Sequence, residues 1–270
     1  MGIFSDDIPD RPDTLARWSG PVPGLLRAIR DTVIPPLCLL CDARVGDPGG
    51  VCASCWSRLH HVSEPRCPVM GTPFSIDPGA ELLSAEAIAD PPPFRRLRFP
   101  LLYNDAARRL VAGLKYADRL DLAPWMARWM AASATELTQQ CSVVVPVPLH
   151  RSRLVARRFN QSAELARHVA RVTGLEHAPS ALERVRKTRQ QVGLGRDARN
   201  RIVQGAFRVP SERRMLVEGR QVLLVDDVYT SGATVKSAVR ALKRAGASDV
   251  DVLCFARVET GELKALYSGN

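Results

Sequence analysis

The sequence has no run of 18 apolar residues, and this absence excludes a transmembrane helix of ordinary length. The N-terminus, MGIFSDDIPDRPD, is acidic and interrupted by proline, so it lacks the basic and then apolar regions of a secretory signal. Aromatic residues make up only 6% of the chain, which argues against an extended surface for stacking nucleic-acid bases. The sequence therefore predicts a cytoplasmic protein without a membrane span.

Positive charge is abundant and unevenly distributed. The 270 residues suffice for one full domain and a small module, and the formal net charge is +10. Residues 151–220 contain 17 Lys and Arg against 6 Asp and Glu, so this region alone carries +11. A region of this sign favours anionic partners such as phosphate, pyrophosphate or nucleic acid.

The seven cysteines are clustered, which indicates metal binding in a reducing compartment over a disulfide framework. Two C-x-x-C pairs are separated by ten residues, and each pair lets two thiolates reach one ion from a tight turn. Together they complete a tetrahedral, structural zinc site without a catalytic role. The predicted ligands are Cys38, Cys41, Cys52 and Cys55. Unliganded cysteines and a redox C-x-x-C are the weaker alternatives.

Cys67 resembles half of a further knuckle, in which Met70 occupies the position of the second cysteine. His60 and His61 lie between the two motifs and could replace a ligand, but Cys55 already completes a set of four. Surface histidines and a free thiol are the preferred interpretation, and whether any of them joins a metal site is left open.

The stretch 222–234, VLLVDDVYTSGAT, organises the rest of the chain. Residues 222–225 predict a buried strand of a parallel sheet, and Asp226 and Asp227 follow where the strand should end. A small-residue loop and a helix come next, so backbone N–H groups and a helix N-terminus can hold a phosphate. The two carboxylates suit sugar hydroxyls or a magnesium ion. The loop comprises Thr230, Ser231, Gly232, Ala233 and Thr234.

A second strand-loop-helix unit predicts an α/β fold with a parallel sheet flanked by helices. Strands are predicted at 96–103, 142–147 and 249–258, and helices at 106–116, 122–138 and 159–172. Pro100 places the first strand at an edge, and Asp105 can cap the first helix. A basic loop follows strand 142–147, where a pyrophosphate would be met; its arginines are Arg153, Arg157 and Arg158.

Composition divides the chain into five segments. The prediction is an N-terminal tail and short helix at 1–35, a zinc ribbon at 36–71, a Pro-rich linker at 72–93, the α/β domain at 94–262 and a tail at 263–270. The linker prediction depends on prolines at 73 and 78 and on the run Pro91-Pro92-Pro93.

The stretch 222–234 resembles the phosphoribosyl pyrophosphate (PRPP) motif of type I phosphoribosyltransferases. With the four cysteines, PVPLHR, RRFNQS and the pattern R-x-x-x-T-x-x-Q from Arg184, the chain resembles the ComF family of competence-associated proteins. The resemblance implies a phosphoribosyltransferase-like domain that binds PRPP with Mg²⁺. It assigns the ribose hydroxyls to Asp226 and Asp227, and the 5′-phosphate to Thr230 to Thr234. It also implies a link to DNA uptake, with single-stranded DNA and DNA-uptake or recombination proteins as candidate partners.

Two functions follow from these features. The first is a transferase of the phosphoribosyltransferase class, in which an acceptor displaces pyrophosphate, the basic loop and the metal stabilise the leaving charge, and loop 184–199 closes over the site. The second is a non-catalytic, PRPP-sensing adaptor that holds single-stranded DNA on the face formed by residues 151–220. The sequence identifies no acceptor pocket.

Overall fold

The computed structural model describes residues 35–77, 79, 82–116, 119–149, 159–186 and 205–258. Seven helices lie in these ranges: α1 (Ala53–Trp56), α2 (Ala85–Ala89), α3 (Asp105–Tyr116), α4 (Ala123–Ala132), α5 (Thr135–Thr138), α6 (Gln161–Thr173) and α7 (Ala233–Arg244). Short 3₁₀ helices cover Leu120–Leu122 and Ser211–Leu216. The strands are β1 (Leu97–Arg98), β2 (Leu101–Leu102), β3 (Val143–Pro146), β4 (Glu176–His177), β5 (Glu183–Arg184), β6 (Phe207–Arg208), β7 (Gln221–Tyr229) and β8 (Asp249–Arg257).

The main sheet is parallel, as the two strand-loop-helix units predict. Its order is β1-β8-β7-β3-β4, and β2 also pairs with β8. Each of the recorded pairings within it is parallel. A separate antiparallel pair joins β5 to β6.

Alternation along β7 divides the core into two layers. Val222 and Leu224 face the layer that contains α7, whereas Leu223 and Val225 face the layer that contains α3, α4 and α6. Both faces of the strand are therefore covered, which explains its continuous apolar run.

The strand β7 is longer than its apolar run. The prediction that it ends before Asp226 is wrong, because the pairing with β8 continues from Gln221 opposite Asp249 to Tyr229 opposite Arg257. Asp226 and Asp227 are therefore strand residues, followed by two more before β7 ends at Tyr229. They extend beyond the pairing with β3, which stops at Val225.

Three other predicted boundaries differ in detail. Strand 96–103 is divided into β1 and β2 around Pro100, which donates no backbone hydrogen bond. Helix 122–138 is divided into α4 and α5 by a turn near Ser133. The helix α3 begins at Asp105 and is capped by Asn104, whose Oδ1 accepts a hydrogen bond from the Ala107 N–H at 3.0 Å.

Segment 72–93 contains the helix α2 and several buried residues. Thr72, Ser84 and Ala87 are all less than 9% exposed. The five-part domain division remains a prediction. In the part of the chain that the structure describes, no helix has the length and apolar character needed to cross a membrane.

Candidate functional site

Asp226 and Asp227 form a half-buried acid pair near the carboxyl end of β7. The Ser162 hydroxyl donates a hydrogen bond to Asp226 Oδ1 at 2.8 Å, and the Asp227 N–H donates to the same oxygen at 2.9 Å. Lys115 Nζ lies 2.6 Å from Asp227 Oδ2. Each carboxylate is thus held by a group from a different helix.

The start of α6 places Ser162 beside the acid pair. Asn160 caps this helix, because its Oδ1 accepts a hydrogen bond from the Ser162 N–H at 3.2 Å. Its Nδ2 donates to the Val147 carbonyl at 3.1 Å, which anchors the helix start just after β3. Asn160 and Ser162 of the FNQS segment therefore link the end of β3 and the start of α6 to Asp226.

Lys115 was not predicted from the sequence. It occupies the last turn of α3, and its side chain is 22% exposed. The spacing of apolar residues predicts that this helix packs on the sheet. It does not predict which end of the sheet lies next to the C-terminus of the helix. The ion pair with Asp227 joins residues 112 positions apart, and local patterns carry no signal for such a contact.

The electrostatics of the pair are unusual for aspartates. Burial, and next the neighbouring Asp227 carboxylate, raise the pKa of Asp226 to about 7. The hydrogen bond from Ser162 and the charge of Lys115 act in the opposite direction. The site is suited to ligands that donate hydroxyl hydrogens to carboxylate oxygens.

A turn with left-handed backbone follows the acid pair. Gly232 has φ +74°, which glycine adopts without steric cost, and α7 begins at the next residue. Gly232 and Ala233 are buried, Ser231 and Thr234 are partly buried, and Thr230 is exposed. The loop and the start of α7 therefore form a cradle of small residues at a helix N-terminus, which suits an anion.

Tyr229 lies beneath this cradle. The residue is 1% exposed, and its Oη has no hydrogen-bond partner among the described residues. A Cβ atom at Gly232 would lie 2.2 Å from that oxygen. The tyrosine thus allows only glycine at the turn, a constraint that the sequence did not reveal.

The remaining predicted phosphate-binding residues lie outside the described residues. This applies to Arg153, Arg157 and Arg158 of the basic loop. It also applies to most of loop 184–199, of which residues 184–186 are described.

The four predicted zinc ligands converge at one point. The ligand atoms of Cys38, Cys41, Cys52 and Cys55 all lie within 4.8 Å of one another, and the Sγ atoms of Cys41 and Cys52 are 3.6 Å apart. Four sulfurs at about 2.3 Å from a tetrahedral zinc ion are separated by similar distances. The cluster therefore fits a structural zinc ion. His60, His61 and Cys67 do not belong to it.

Hydrogen-bond donors surround the sulfurs. The N–H groups of Cys52 and Leu40 lie 3.3 and 3.5 Å from Cys38 Sγ, and Arg58 Nη2 lies 2.9 Å from Cys55 Sγ. Burial opposes ionisation of Cys38, but these backbone N–H groups lower its pKa to about 6. The surroundings of Cys38 thus favour the thiolate that zinc requires of it.

Two known families match separate parts of the chain. Residues 29–87 match the family described as "Double zinc ribbon domain", and residues 159–268 match "Phosphoribosyl transferase domain". The DNA utilization protein YhgH of Escherichia coli is 31% identical over 230 residues, which cover 83% of this chain and 98% of that protein.

Two competence proteins are also similar. Competence protein ComFC of Bacillus subtilis is 26% identical over 227 residues, covering 78% of this chain and 90% of that protein. Competence protein F of Haemophilus influenzae is 26% identical over 160 residues, covering 57% of this chain and 69% of that protein.

Proposed function

Since the chain belongs to the ComF family of competence and DNA utilization proteins, we propose that it binds PRPP with Mg²⁺ and transfers its phosphoribosyl group. The observation that carries the proposal is the acid pair on β7, which is followed after four residues by a glycine turn at a helix N-terminus. One molecule that carries a sugar diol and a phosphate satisfies both halves of this arrangement.

Each half has a defined role in the proposal. Asp226 and Asp227 accept hydrogen bonds from the ribose 2′- and 3′-hydroxyls, while Ser162 and Lys115 hold the two carboxylates in place. The N–H groups and hydroxyls of residues 230–234 bind the 5′-phosphate, and Tyr229 supports the turn from below.

The acid pair also fits magnesium, because carboxylate oxygens are the ligands this ion prefers. Magnesium bound with PRPP would supply positive charge that stabilises the leaving pyrophosphate. In the transfer, the bond between ribose C1 and the pyrophosphate oxygen breaks, pyrophosphate leaves with the electron pair, and the acceptor forms the new bond to C1. Arg153, Arg157 and Arg158 are proposed to stabilise the departing charge.

Calorimetry with PRPP and Mg²⁺ tests the binding site. The wild type should bind, and the Asp226→Asn/Asp227→Asn variant should not, because the hydroxyl acceptors lose their charge. Two exposed aspartates provide a matched control, since Asp105→Asn/Asp121→Asn makes the same chemical substitution away from the site. Equal binding by all three proteins would refute the site. Pyrophosphate release with a panel of bases and amines then tests transfer.

The names of the relatives support a second role in the use of DNA. Arginines line a surface pocket between the 3₁₀ helix Ser211–Leu216 and α7, to which Arg208, Arg214 and Arg244 contribute. In this alternative the chain is a PRPP-sensing adaptor that binds single-stranded DNA and contacts DNA-uptake or recombination proteins. Affinity for a fluorescent oligonucleotide should then fall steeply with salt and change when PRPP is added. Salt-independent binding would contradict this role.

A cytoplasmic location is part of the proposal. The seven cysteines form no disulfide, and four of them create a thiolate site that requires a reducing environment.

A further inference from the structure

The backbone around Cys67 repeats the zinc-binding turn around Cys38. In each turn the cysteine N–H donates to the carbonyl oxygen five positions further on, at 2.7 Å for Cys38 and 2.8 Å for Cys67. In each, the cysteine carbonyl accepts from the residue four positions on, which is Asp42 in one and Gly71 in the other. These two residues have φ angles of +59° and +62°. The two turns therefore share one uncommon conformation.

The second half of each unit also matches. Cys52 precedes α1 with φ −66° and ψ 158°, and Ser84 precedes α2 with φ −64° and ψ 151°. The Cys52 N–H lies 3.3 Å from Cys38 Sγ, and the Ser84 N–H lies 3.3 Å from Cys67 Sγ. Residues 38–55 and 67–87, here called the first and second lobes, thus have the same hydrogen-bond frame.

This correspondence identifies four ligand positions in the second lobe. Residue by residue, the first-lobe cysteines correspond to Cys67, Met70, Ser84 and Ala87. The second set offers one thiol, one thioether, one hydroxyl and one methyl group. A structural zinc ion takes four nitrogen, thiolate or carboxylate ligands, so this set does not fit the ion. Among the described residues, the cluster of side chains that could hold a metal ion lies in the first lobe.

The side chains at the four corresponding positions are buried. Cys67 and Met70 are at most 1% exposed, Ser84 is 4% exposed, and Ala87 is 5% exposed. Cys67, Met70 and Ala87 belong to the same apolar core layer as Tyr229. The lobe is thus fixed by burial and by N–H groups that donate to sulfur.

Polar contacts fasten the second lobe to the α/β domain. Arg257, at the end of β8, is 1% exposed and donates from Nη1 to the Met70 carbonyl and to Thr72 Oγ1, both at 2.9 Å. Its Nη2 also contacts the Glu86 carboxylate. These bonds hold the lobe against the sheet end that carries Tyr229.

We propose that the second ribbon of this chain is a metal-free ribbon, in which apolar packing and the Arg257 contacts replace zinc. The double-ribbon match over residues 29–87 therefore corresponds to one zinc ion per chain rather than two. The proposal does not depend on PRPP binding.

Metal content per chain tests the proposal directly. Inductively coupled plasma mass spectrometry of the full chain, washed with a weak chelator, should give one zinc. Cys67→Ala should keep that zinc, whereas the matched change Cys41→Ala in the first lobe should lose it. Two zinc ions per wild-type chain, or loss of zinc in Cys67→Ala, would overturn the proposal.

Restoring ligands provides an independent test. The variant Met70→Cys/Ser84→Cys/Ala87→Cys should bind a second zinc, and with Co²⁺ it should show about twice the thiolate-to-metal absorbance of the wild type. Circular dichroism confirms that it is folded. The variant Met70→Cys/Ala87→Cys offers three thiolates and serves if the triple variant does not fold. A folded variant that binds one metal only would show that the second lobe lacks a ribbon frame.

Discussion

Lys115 Nζ lies 2.6 Å from Asp227 Oδ2, and this ion pair joins the last turn of α3 to the acid pair on β7. Both side chains are mostly buried, at 22% and 13% exposure, so solvent screens the pair less than it screens a surface pair. Lys115 therefore limits the negative charge at a site proposed to receive an anionic ligand.

Lys115→Met should weaken PRPP binding about tenfold, equivalent to about 1.4 kcal/mol. Without the lysine, the Asp227 charge is no longer compensated and repels the phosphates. Calorimetry at fixed Mg²⁺ concentration measures the change. Lys243→Met is the control, because Lys243 forms an ion pair with Asp249 at the far end of β8. Unchanged or tighter binding by Lys115→Met would contradict the role given to the lysine.

Gly232→Ala should abolish PRPP binding while leaving the protein folded. The φ of +74° costs an alanine about 1–2 kcal/mol, and the new methyl would meet Tyr229 Oη at 2.2 Å. The turn must move, and its N–H groups then no longer converge on the phosphate. Gly174→Ala is the control, since Gly174 has the same φ but no atoms near its Cβ position.

Both glycine variants should lose stability in thermal unfolding through their similar backbone strain, and Gly232→Ala should lose more because its methyl also meets the buried Tyr229. Only Gly232→Ala should lose the ligand. Normal PRPP binding by Gly232→Ala would show that the turn does not hold the phosphate.

The sequence predicted the parallel sheet and the zinc cluster because each is encoded by a local pattern. The apolar run 222–225 and the paired C-x-x-C motifs specify their structures over a few residues. The predicted end of β7 was wrong because the last residues of this strand form β structure by pairing with β8 alone. A neighbouring strand, distant in the sequence, decides where such a strand ends.

The contacts that hold the site were beyond prediction for the same reason. Lys115 and Ser162 reach the acid pair from two helices, and neither contact follows from residue spacing. Ser84 and Ala87 likewise have the same spacing as Cys52 and Cys55 of the first lobe. Because neither residue is a cysteine, no sequence motif indicates the correspondence. Only the repeated backbone geometry reveals it.

Asp251→Asn should lower the free energy of unfolding by about 3 kcal/mol at neutral pH, as expected when a buried ion pair loses one partner. Asp251 is fully buried on β8, where Arg95, Arg96 and the Gln221 side chain donate to its carboxylate. Urea unfolding measures the loss. Asp121→Asn is the control, because Asp121 is 56% exposed and pairs with an exposed arginine. A loss below 0.5 kcal/mol, the usual range of surface changes, would contradict the prediction.

The same carboxylate should make stability depend on pH. Burial alone would raise the pKa of Asp251, but hydrogen bonds from Arg95 and Arg96 lower it below the usual value. Its stabilising effect is therefore complete above the unfolded-state pKa of about 3.9 and is lost as the pH falls through the folded-state pKa. Between pH 5 and pH 2, stability should fall more steeply for the wild type than for Asp251→Asn.

Arg58→Gln should accelerate the loss of zinc to a chelator about tenfold. This is the lower end of the effect expected on metal affinity when a residue that contacts a metal ligand is replaced. Arg58 Nη2 donates to Cys55 Sγ at 2.9 Å, so the guanidinium stabilises the negative sulfur. Release is followed by the absorbance of a zinc-binding dye. Arg44→Gln is the control, because Arg44 is an exposed arginine of the first lobe. PRPP affinity should be the same in both variants, since the four cysteines and the acid pair belong to separate sites. Equal release rates for the two variants would show that the Arg58 contact does not stabilise the bound metal.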